Sequence, residues 1–443
     1  MNTLIERKRP STSFSKSLAH YTMGIIYDNE MKSEDAIIEY KKALKFDPDT
    51  SYVHTRLAVD YLLTKKEDKT LEELGIAKSL DPTDAKPRFL SALIYTSQNK
   101  FVDAQKEYEQ ISRFDPDSIW ALSSLADLFV LQEKMNEAAA IYEKLLEKEK
   151  NSSVLYFNLG VIYSKIGKID QAIEKLKEAL KINPDYLAAY IGLGVLHEMK
   201  KDLPEAIANF EKALSLDPLN IALYHHLGGV YYRAKRIDDA VGQYELLTKL
   251  NPKDIQAYIE WANIFLSQKK ADEAVSVLEK ALKLGLKDVD LFLALGYAYS
   301  IDEKNDEALK FYNMALEISV DDPRVHFYLG ALYERRSQKE PAIKEFRNAI
   351  RLDPKFSDAY NYLGYMFAED GVNLDEAILL IKKALELEPN NGAYIDSLGW
   401  AYFKKGMLDA ALIELENAVK FEPNDATIRD HLKQVREKLK RAR

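Results

Sequence analysis

Residues 225–236 read HHLGGVYYRAKR. Adjacent histidines, a Gly-Gly pair, two tyrosines and a basic cluster raise three chemistries at once: a metal site, a phosphate-cradling loop and a nucleic-acid patch. Three other stretches carry the same pattern: YFNLGVIYSKIG (156–167), YIGLGVLHEMKK (190–201) and HFYLGALYERRS (326–337). The shared small residue recurs as Gly24, Ala58, Ala92, Ala126, Gly160, Gly194, Gly228, Ala262, Gly296, Gly330 and Gly364, every 34 residues, with Gly399 following after 35. A fixed period of this length marks an array of supersecondary units.

Each copy holds two helical stripes. Tyr224, Leu227, Gly228 and Tyr231 stand at i, i+3, i+4 and i+7, which is one face of a helix. A polar break follows, where Asp238 and Asp239 are candidate caps. Ala240, Tyr244 and Leu247 form the second stripe, and Pro252 ends it. A small residue is required where two helices cross closely. A second small position runs through Ala36, Ala104, Ala138, Ala172, Ala206, Ala240, Ala274, Ala308, Ala342, Ala377 and Ala411, with Thr70 as the exception. Nine prolines, from Pro48 to Pro423, sit just past a second helix, where a helix must stop. Pro87, Pro204, Pro323 and Pro341 fall at helix starts, where a missing N–H costs little.

This pattern of small residues, aromatics and a terminal proline resembles the tetratricopeptide repeat family. The resemblance implies an all-α fold, a right-handed α-α superhelix of about twelve helix-turn-helix repeats with a C-terminal capping helix. The expected repeats are residues 17–50, 51–84, 85–118, 119–152, 153–186, 187–220, 221–254, 255–288, 289–322, 323–356, 357–391 and 392–425. Residues 426–443 form the expected cap, with Ile428, Leu432, Val435 and Leu439 on its apolar stripe and a basic end. Residues 1–16 are read as a flexible tail. AEDGVNLDEA (368–377) is expected to lengthen one inter-helix turn at Gly371.

Bulk properties narrow the function. The chain has 443 residues, 47% hydrophobic and 30% charged, and no cysteine. Thiolate metal sites, disulfides and a cysteine nucleophile are therefore out. A net charge of −9 argues against a nucleic-acid partner. No run of 18 apolar residues is present, so no transmembrane segment is expected. The N-terminal MNTLIERKRPSTSFSKS has no apolar h-region, so a cytoplasmic location is expected; the periplasm stays open, since a leader already cleaved leaves no trace.

His225 and His226 are about 100° apart on a helix and do not face one metal. GLGVLH (192–197) lacks a third glycine and a preceding strand, so it is no dinucleotide loop. No metalloprotease, Walker or nucleophile-elbow signature occurs. No cofactor, metal or catalytic site is expected, and the chain is read as a non-enzymatic scaffold for a protein or peptide partner.

By the resemblance, positions 2, 5, 9, 12 and 13 of each repeat line a concave groove. Those positions hold Trp120, Phe157, Ile191, Leu293, Phe327, Tyr297, Tyr365, Trp400 and Tyr232, with the cations Lys165, Arg233, Arg335 and Lys404 at position 13. Aromatics among cations suit a peptide of some acidic character. Contact with the next repeat is the structural alternative for any of these aromatics. Trp261, at position 7, is expected in the core. Position 5 is never Lys, against a carboxylate clamp for chaperone C-termini; Asn158 alone matches an asparagine ladder at position 6.

Two alternatives stand beside the scaffold: a homo-oligomer assembled through the terminal repeats, and a regulatory subunit. NNGAYIDSLGWAYFKKG (390–406) is similar to the last repeats of bacterial proteins of envelope assembly, secretion or polysaccharide export.

Overall fold

The computed structural model describes residues 12–442, and all regular structure among them is helical. They fall into two compact bodies that divide between Asp217 and Pro218. The N-terminal body holds α1 (Thr12–Asn29), α2 (Ser33–Phe46), α3 (Ser51–Leu63), α4 (Glu67–Leu80), α5 (Ala85–Ser97), α6 (Phe101–Phe114), α7 (Ile119–Leu131), α8 (Met135–Lys148), α9 (Ser153–Lys165), α10 (Ile169–Ile182), α11 (Leu187–Met199) and α12 (Leu203–Leu216). The C-terminal body holds α13 (Ile221–Arg233), α14 (Ile237–Leu250), α15 (Ile255–Ser267), α16 (Ala271–Lys283), α17 (Val289–Ile301), α18 (Asn305–Ile318), α19 (Pro323–Arg335) and α20 (Lys339–Leu352). It ends with α21 (Ser357–Asp370), α22 (Leu374–Leu387), α23 (Gly392–Lys404), α24 (Leu408–Phe421) and α25 (Ala426–Ala442).

The two helices of a repeat lock through the small residue. A Cβ built on Gly228 would lie 2.6 Å from Cζ of Tyr244, and one on Gly194 would lie 2.6 Å from Cε1 of Phe210. Gly330 meets Phe346, Gly160 meets Leu176 and Gly399 meets Leu415 in the same way. The partner in these five pairs is 16 residues further on, which places a large second-helix side chain in the notch of the first helix. Tyr40, Phe210, Tyr312 and Phe346 are fully buried there. Trp261 is buried as expected, with the Lys280 ammonium 4.4 Å from its ring centroid.

The turn between the helices has a fixed geometry. At Lys235 the backbone is left-handed (φ 62°). Its N–H donates to the Tyr232 carbonyl at 3.0 Å, and the Arg236 N–H donates to the Tyr231 carbonyl at 2.9 Å. This is a Schellman cap. Lys65, Asn99, Glu133, Lys201, Lys269, Glu303 and Ser337 hold the same left-handed position, where glycine is the residue that carries no Cβ penalty. In the longer repeat Gly371 (φ 68°) caps α21, and Asn373 is also left-handed, so the extra residue is spent in this turn.

Asp238 and Asp239 are not caps. Arg236 occupies the N-cap of α14, both aspartates lie in the first turn, and the Arg236 Nε donates to Asp239 at 2.7 Å. There they face the positive end of the helix dipole. α1 begins at Thr12, inside the stretch expected to be tail, while residues 1–11 of that stretch lie outside the described residues.

Successive repeats are tied at position 4. Tyr190 donates its hydroxyl to the Pro184 carbonyl at 3.1 Å, Tyr224 to Pro218 at 3.1 Å and Tyr258 to Pro252 at 3.4 Å. His54 makes the equivalent bond to Pro48 with Nε2 (3.0 Å) while Nδ1 meets Glu73 (2.6 Å). The prolines therefore both stop a helix and present a carbonyl that fixes the next one.

At the C-terminus α25 packs Ile428, Leu432 and Val435 against α23 and α24. Its other face carries Arg429, Lys433, Arg436 and Lys440 to solvent.

Candidate functional site

First helices of neighbouring repeats touch one another: α9 and α11, α15 and α17, α17 and α19, α21 and α23. Among the described residues no pair of successive second helices packs to the same extent. Within each body the first-helix side is thus the tighter, inner side, and the side chains projecting from it are those at positions 2, 5, 6 and 9.

In the C-terminal body these side chains enclose three hollows. The first, about 340 Å3, lies across α15, α17 and α19, with Leu293 as a buried floor, Tyr297 and Tyr328 as an aromatic wall and Asn263 on the rim. Arg324 crosses it, bonded to Asp290 at 2.7 Å and Asp322 at 2.6 Å. Against its burial, the Arg324 guanidinium holds Asp322 below the usual carboxylate range. The second hollow, about 320 Å3, is lined by Asn361, Tyr362, Tyr365, Asp396 and Ser397, and is closed by Thr427 and Ile428 of α25. Asn361 is 8% exposed and its amide oxygen has no hydrogen-bond partner. Burial, with Glu369 and Asp396 nearby, pushes the Tyr365 hydroxyl up to about 12.

The third hollow, about 200 Å3, lies between α13 and α15 and contains Tyr232, Arg233 and Glu260. His225 sits beside it, 2.8 Å from Glu260 and 3.1 Å from Asp254. The hydrogen bond to Glu260 outweighs the opposing effect of burial, and with Asp254 it raises His225 to about 9. The imidazolium is a strut between two repeats. Among the described residues no group of three or more His, Asp or Glu side chains is placed to hold a metal, and no helix is long and apolar enough to cross a membrane.

The residues expected in the groove divide by what they touch. Leu293 and Tyr297 share one hollow, Tyr232 and Arg233 another, and Tyr365 lines the third. In the N-terminal body Trp120 is 44% exposed and meets Phe89 edge-on at 4.5 Å. Phe157 is half-buried against Tyr186 at 5.1 Å, Ile191 is half-buried, and Lys165 is exposed.

Four of the residues expected in the groove are also engaged by neighbouring elements. Trp400 is 5% exposed, donates its Nε1 to Glu369 at 2.5 Å, and stacks on His431 of α25 at 4.0 Å. α25 stands where another first helix would be and covers this ring, so it is not presented to a ligand. Phe327 packs among Phe346, Phe356 and Tyr362, the last two 5.1 Å away in the junction to and first helix of the next repeat. Arg335 donates to the Ser300 carbonyl at 2.9 Å, and Lys404 to the Glu369 carbonyl at 2.9 Å. Both cations close the C-terminal end of the preceding first helix, where carbonyls lack partners and the dipole is negative.

Asn263, Arg324, Tyr328, Asn361 and Tyr362 were not singled out from sequence. Tyr328 and Tyr362 occupy position 6, where the resemblance points only to asparagine. Asn263 and Asn361 occupy groove positions 9 and 5, where their small polar side chains give no signal beside the aromatics.

Tetratricopeptide repeat models match residues 18–50, 121–153, 153–186, 198–259, 259–323, 327–393 and 394–425. No curated protein matches the chain significantly. Among solved structures, the chain is similar to the Cut9–Hcn1 hetero-tetramer of the APC/C at 15% identity, covering 95% of this chain and 96% of that one (TM-score 0.44). Similarity to yeast Tom70 is 20% identity over 89% and 96% of the two chains (TM-score 0.47). YrrB, described as a TPR protein with an unusual peptide-binding site, is 25% identical over 41% of this chain and 93% of its own (TM-score 0.33). With helix pairs repeating at the spacing of its small residues and family matches over residues 18–50 and over most of residues 121–425, the chain belongs to the tetratricopeptide repeat family.

Proposed function

We propose that the chain is a non-enzymatic scaffold that binds a protein or peptide segment on the first-helix side. The observation that carries this reading is the hollow across α15, α17 and α19, where an exposed tyrosine, a buried apolar floor and an ion-paired arginine converge. Aromatic and arginine side chains set around an apolar pocket are the usual anchors of protein interfaces. Asn361, with a buried amide oxygen left unpaired, adds an acceptor for a peptide N–H in the neighbouring hollow.

The test is affinity capture with the full chain followed by direct binding of the captured partner. Tyr297→Ala is expected to weaken binding at least tenfold while the circular dichroism spectrum and Tm stay unchanged. Undiminished affinity in both Tyr297→Ala and Tyr365→Ala would reject this face. Tyr297 is the better probe than Phe157 or Phe327, whose rings are also packing elements.

A second reading, self-association through a terminal repeat, rests on α1, where Phe14, Leu18, Met23 and Ile26 are each more than a third exposed. Light scattering across a concentration series separates the two: a dimer that dissociates in Leu18→Glu supports self-association, and a monomer throughout removes it.

A further inference from the structure

A further cavity lies in the N-terminal body between the α1–α2 turn and α3. Its volume is about 740 Å3, ample for a long side chain. Asp28 from the end of α1 and Asp60 from α3 form its polar wall. Met31, Val59 and Leu63 line it with apolar atoms. Met31 is 92% exposed and Leu63 67% exposed, so the apolar part is open to solvent.

The two carboxylates are differently supplied. Tyr40 donates to Asp28 Oδ2 at 2.5 Å, and the Arg56 guanidinium approaches the same oxygen at 3.7 Å. Asp28 Oδ1 and Asp60 Oδ2 are buried with no hydrogen-bond partner. Asp60 is only 2% exposed. A buried carboxylate oxygen without a donor is costly, and native interiors seldom keep one without a reason. Other charges around the cavity are already engaged: Lys32 pairs with Glu30 at 2.7 Å, and Glu34 with Lys66 at 3.3 Å. Asp28, Asp35 and Asp60 then face Arg56 as the remaining cation of the lining, a local excess of negative charge. Burial and the Asp28 carboxylate, through its charge and as acceptor for the Asp60 proton when Asp60 is protonated, push the Asp60 carboxyl up to about 7, against the pull of Ser33 and Arg56.

What fits is a group with several N–H donors and a positive charge, carried on an apolar stem. We propose that this cavity is a receptor for a cationic side chain, lysine or arginine, of a bound peptide. The head group supplies donors to Asp28 Oδ1 and Asp60 Oδ2. The methylene stem lies along Val59, Leu63 and Met31, as long basic side chains do on apolar surface. The site is separate from the α15–α19 hollow; it deepens the scaffold reading by giving one contact of the partner a sign, and it is tested by an independent measurement.

The experiment is saturation-transfer NMR on the full chain with three capped tripeptides, Gly-Lys-Gly, Gly-Arg-Gly and the uncharged Gly-norleucine-Gly. Saturable binding of the lysine or arginine peptide, with none by norleucine, is expected. Asp60→Asn should weaken it at least tenfold while Tm is unchanged or higher, because removing one of two facing carboxylates relieves repulsion. Arg56→Gln should strengthen binding severalfold, since it removes the internal competitor. No saturable binding of either cation up to the solubility limit would overturn the proposal, leaving a pair of aspartates that merely share a proton. Equal binding of norleucine, or unchanged affinity in Asp60→Asn, would overturn it as well. None of these results bears on the Tyr297 test, so the two sites stand or fall apart.

Discussion

Gly228 and Tyr244 form a single lock: the ring of the second helix occupies the volume that a methyl group on the first helix would need, 2.6 Å from its Cζ. Overpacking of this kind costs about 1–3 kcal/mol when the neighbour gives way. Gly228→Ala is expected to destabilise by about 2 kcal/mol and Gly228→Val by more. Tyr244→Leu should recover part of the loss in the Ala variant, because a smaller partner reopens the notch. Urea melts of the four proteins check the coupling; simple additivity would refute it.

Lys235 pays a backbone penalty of about 1 kcal/mol for its left-handed turn. Lys235→Gly should therefore raise stability by up to about 1 kcal/mol. Lys249→Gly, within α14, should lower it by about the same amount. Thermal melts read both, and a Lys235→Gly variant no more stable than the parent counts against the turn assignment.

His225 links repeats through Asp254 and Glu260 and is raised to about 9 from an unfolded value of about 6.5. A raised pKa means the folded state holds the proton more tightly. The contribution is fully present below pH 6.5 and is lost as pH rises toward 9. Glu260 is held below its usual value, since His225 and Gln256 outweigh its burial, so the acid side of the pair fails only below the ordinary glutamate range. The stability difference between wild type and His225→Gln should be about 2 kcal/mol at pH 6 and shrink toward zero near pH 9. A difference that stays flat across that window would exclude the strut.

Val435 of α25 is fully buried against α24. Val435→Asp should cost about 3 kcal/mol or more, since it buries an unpaired charge. Detachment of α25 also uncovers Trp400, which now stacks on His431. Its fluorescence should shift to the red before the global transition, and quenching by acrylamide should rise. Unaltered emission would show that α25 does not shield the ring.

Much of this fold is legible in the sequence because its determinants are periodic. The small residue at Gly228 and its equivalents, the second-helix alanines and the terminal prolines all repeat with the helix spacing. The left-handed turns are hidden, since Lys235, Glu303 and Ser337 stand where glycine would have announced them. At position 4, Tyr190, Tyr224 and Tyr258 each carry a bond to a carbonyl six residues earlier, which nothing in the spacing announces. That bond depends on the exit path of the preceding turn, which periodicity does not encode.

The candidate site was read less completely, for a physical reason. A residue at position 9 faces a ligand only when another first helix of the ordinary kind follows. For Trp400 the follower is α25. Position 13 of the repeat and their charge place Arg335 and Lys404 toward a ligand, but each also bonds the carbonyl end of the preceding first helix. Charge and residue type alone do not reveal which acceptors lie within reach.

Within each body, a helix packs chiefly on the next helix along the array and, on the first-helix side, also on the one after it. Pulled from its ends, such a body carries load in series, as links do, with no rivet joining distant parts. Its yield force is that of its weakest junction, and the extension should come in steps of one hairpin rather than in a single rupture. Strengthening any other junction leaves that first step where it was.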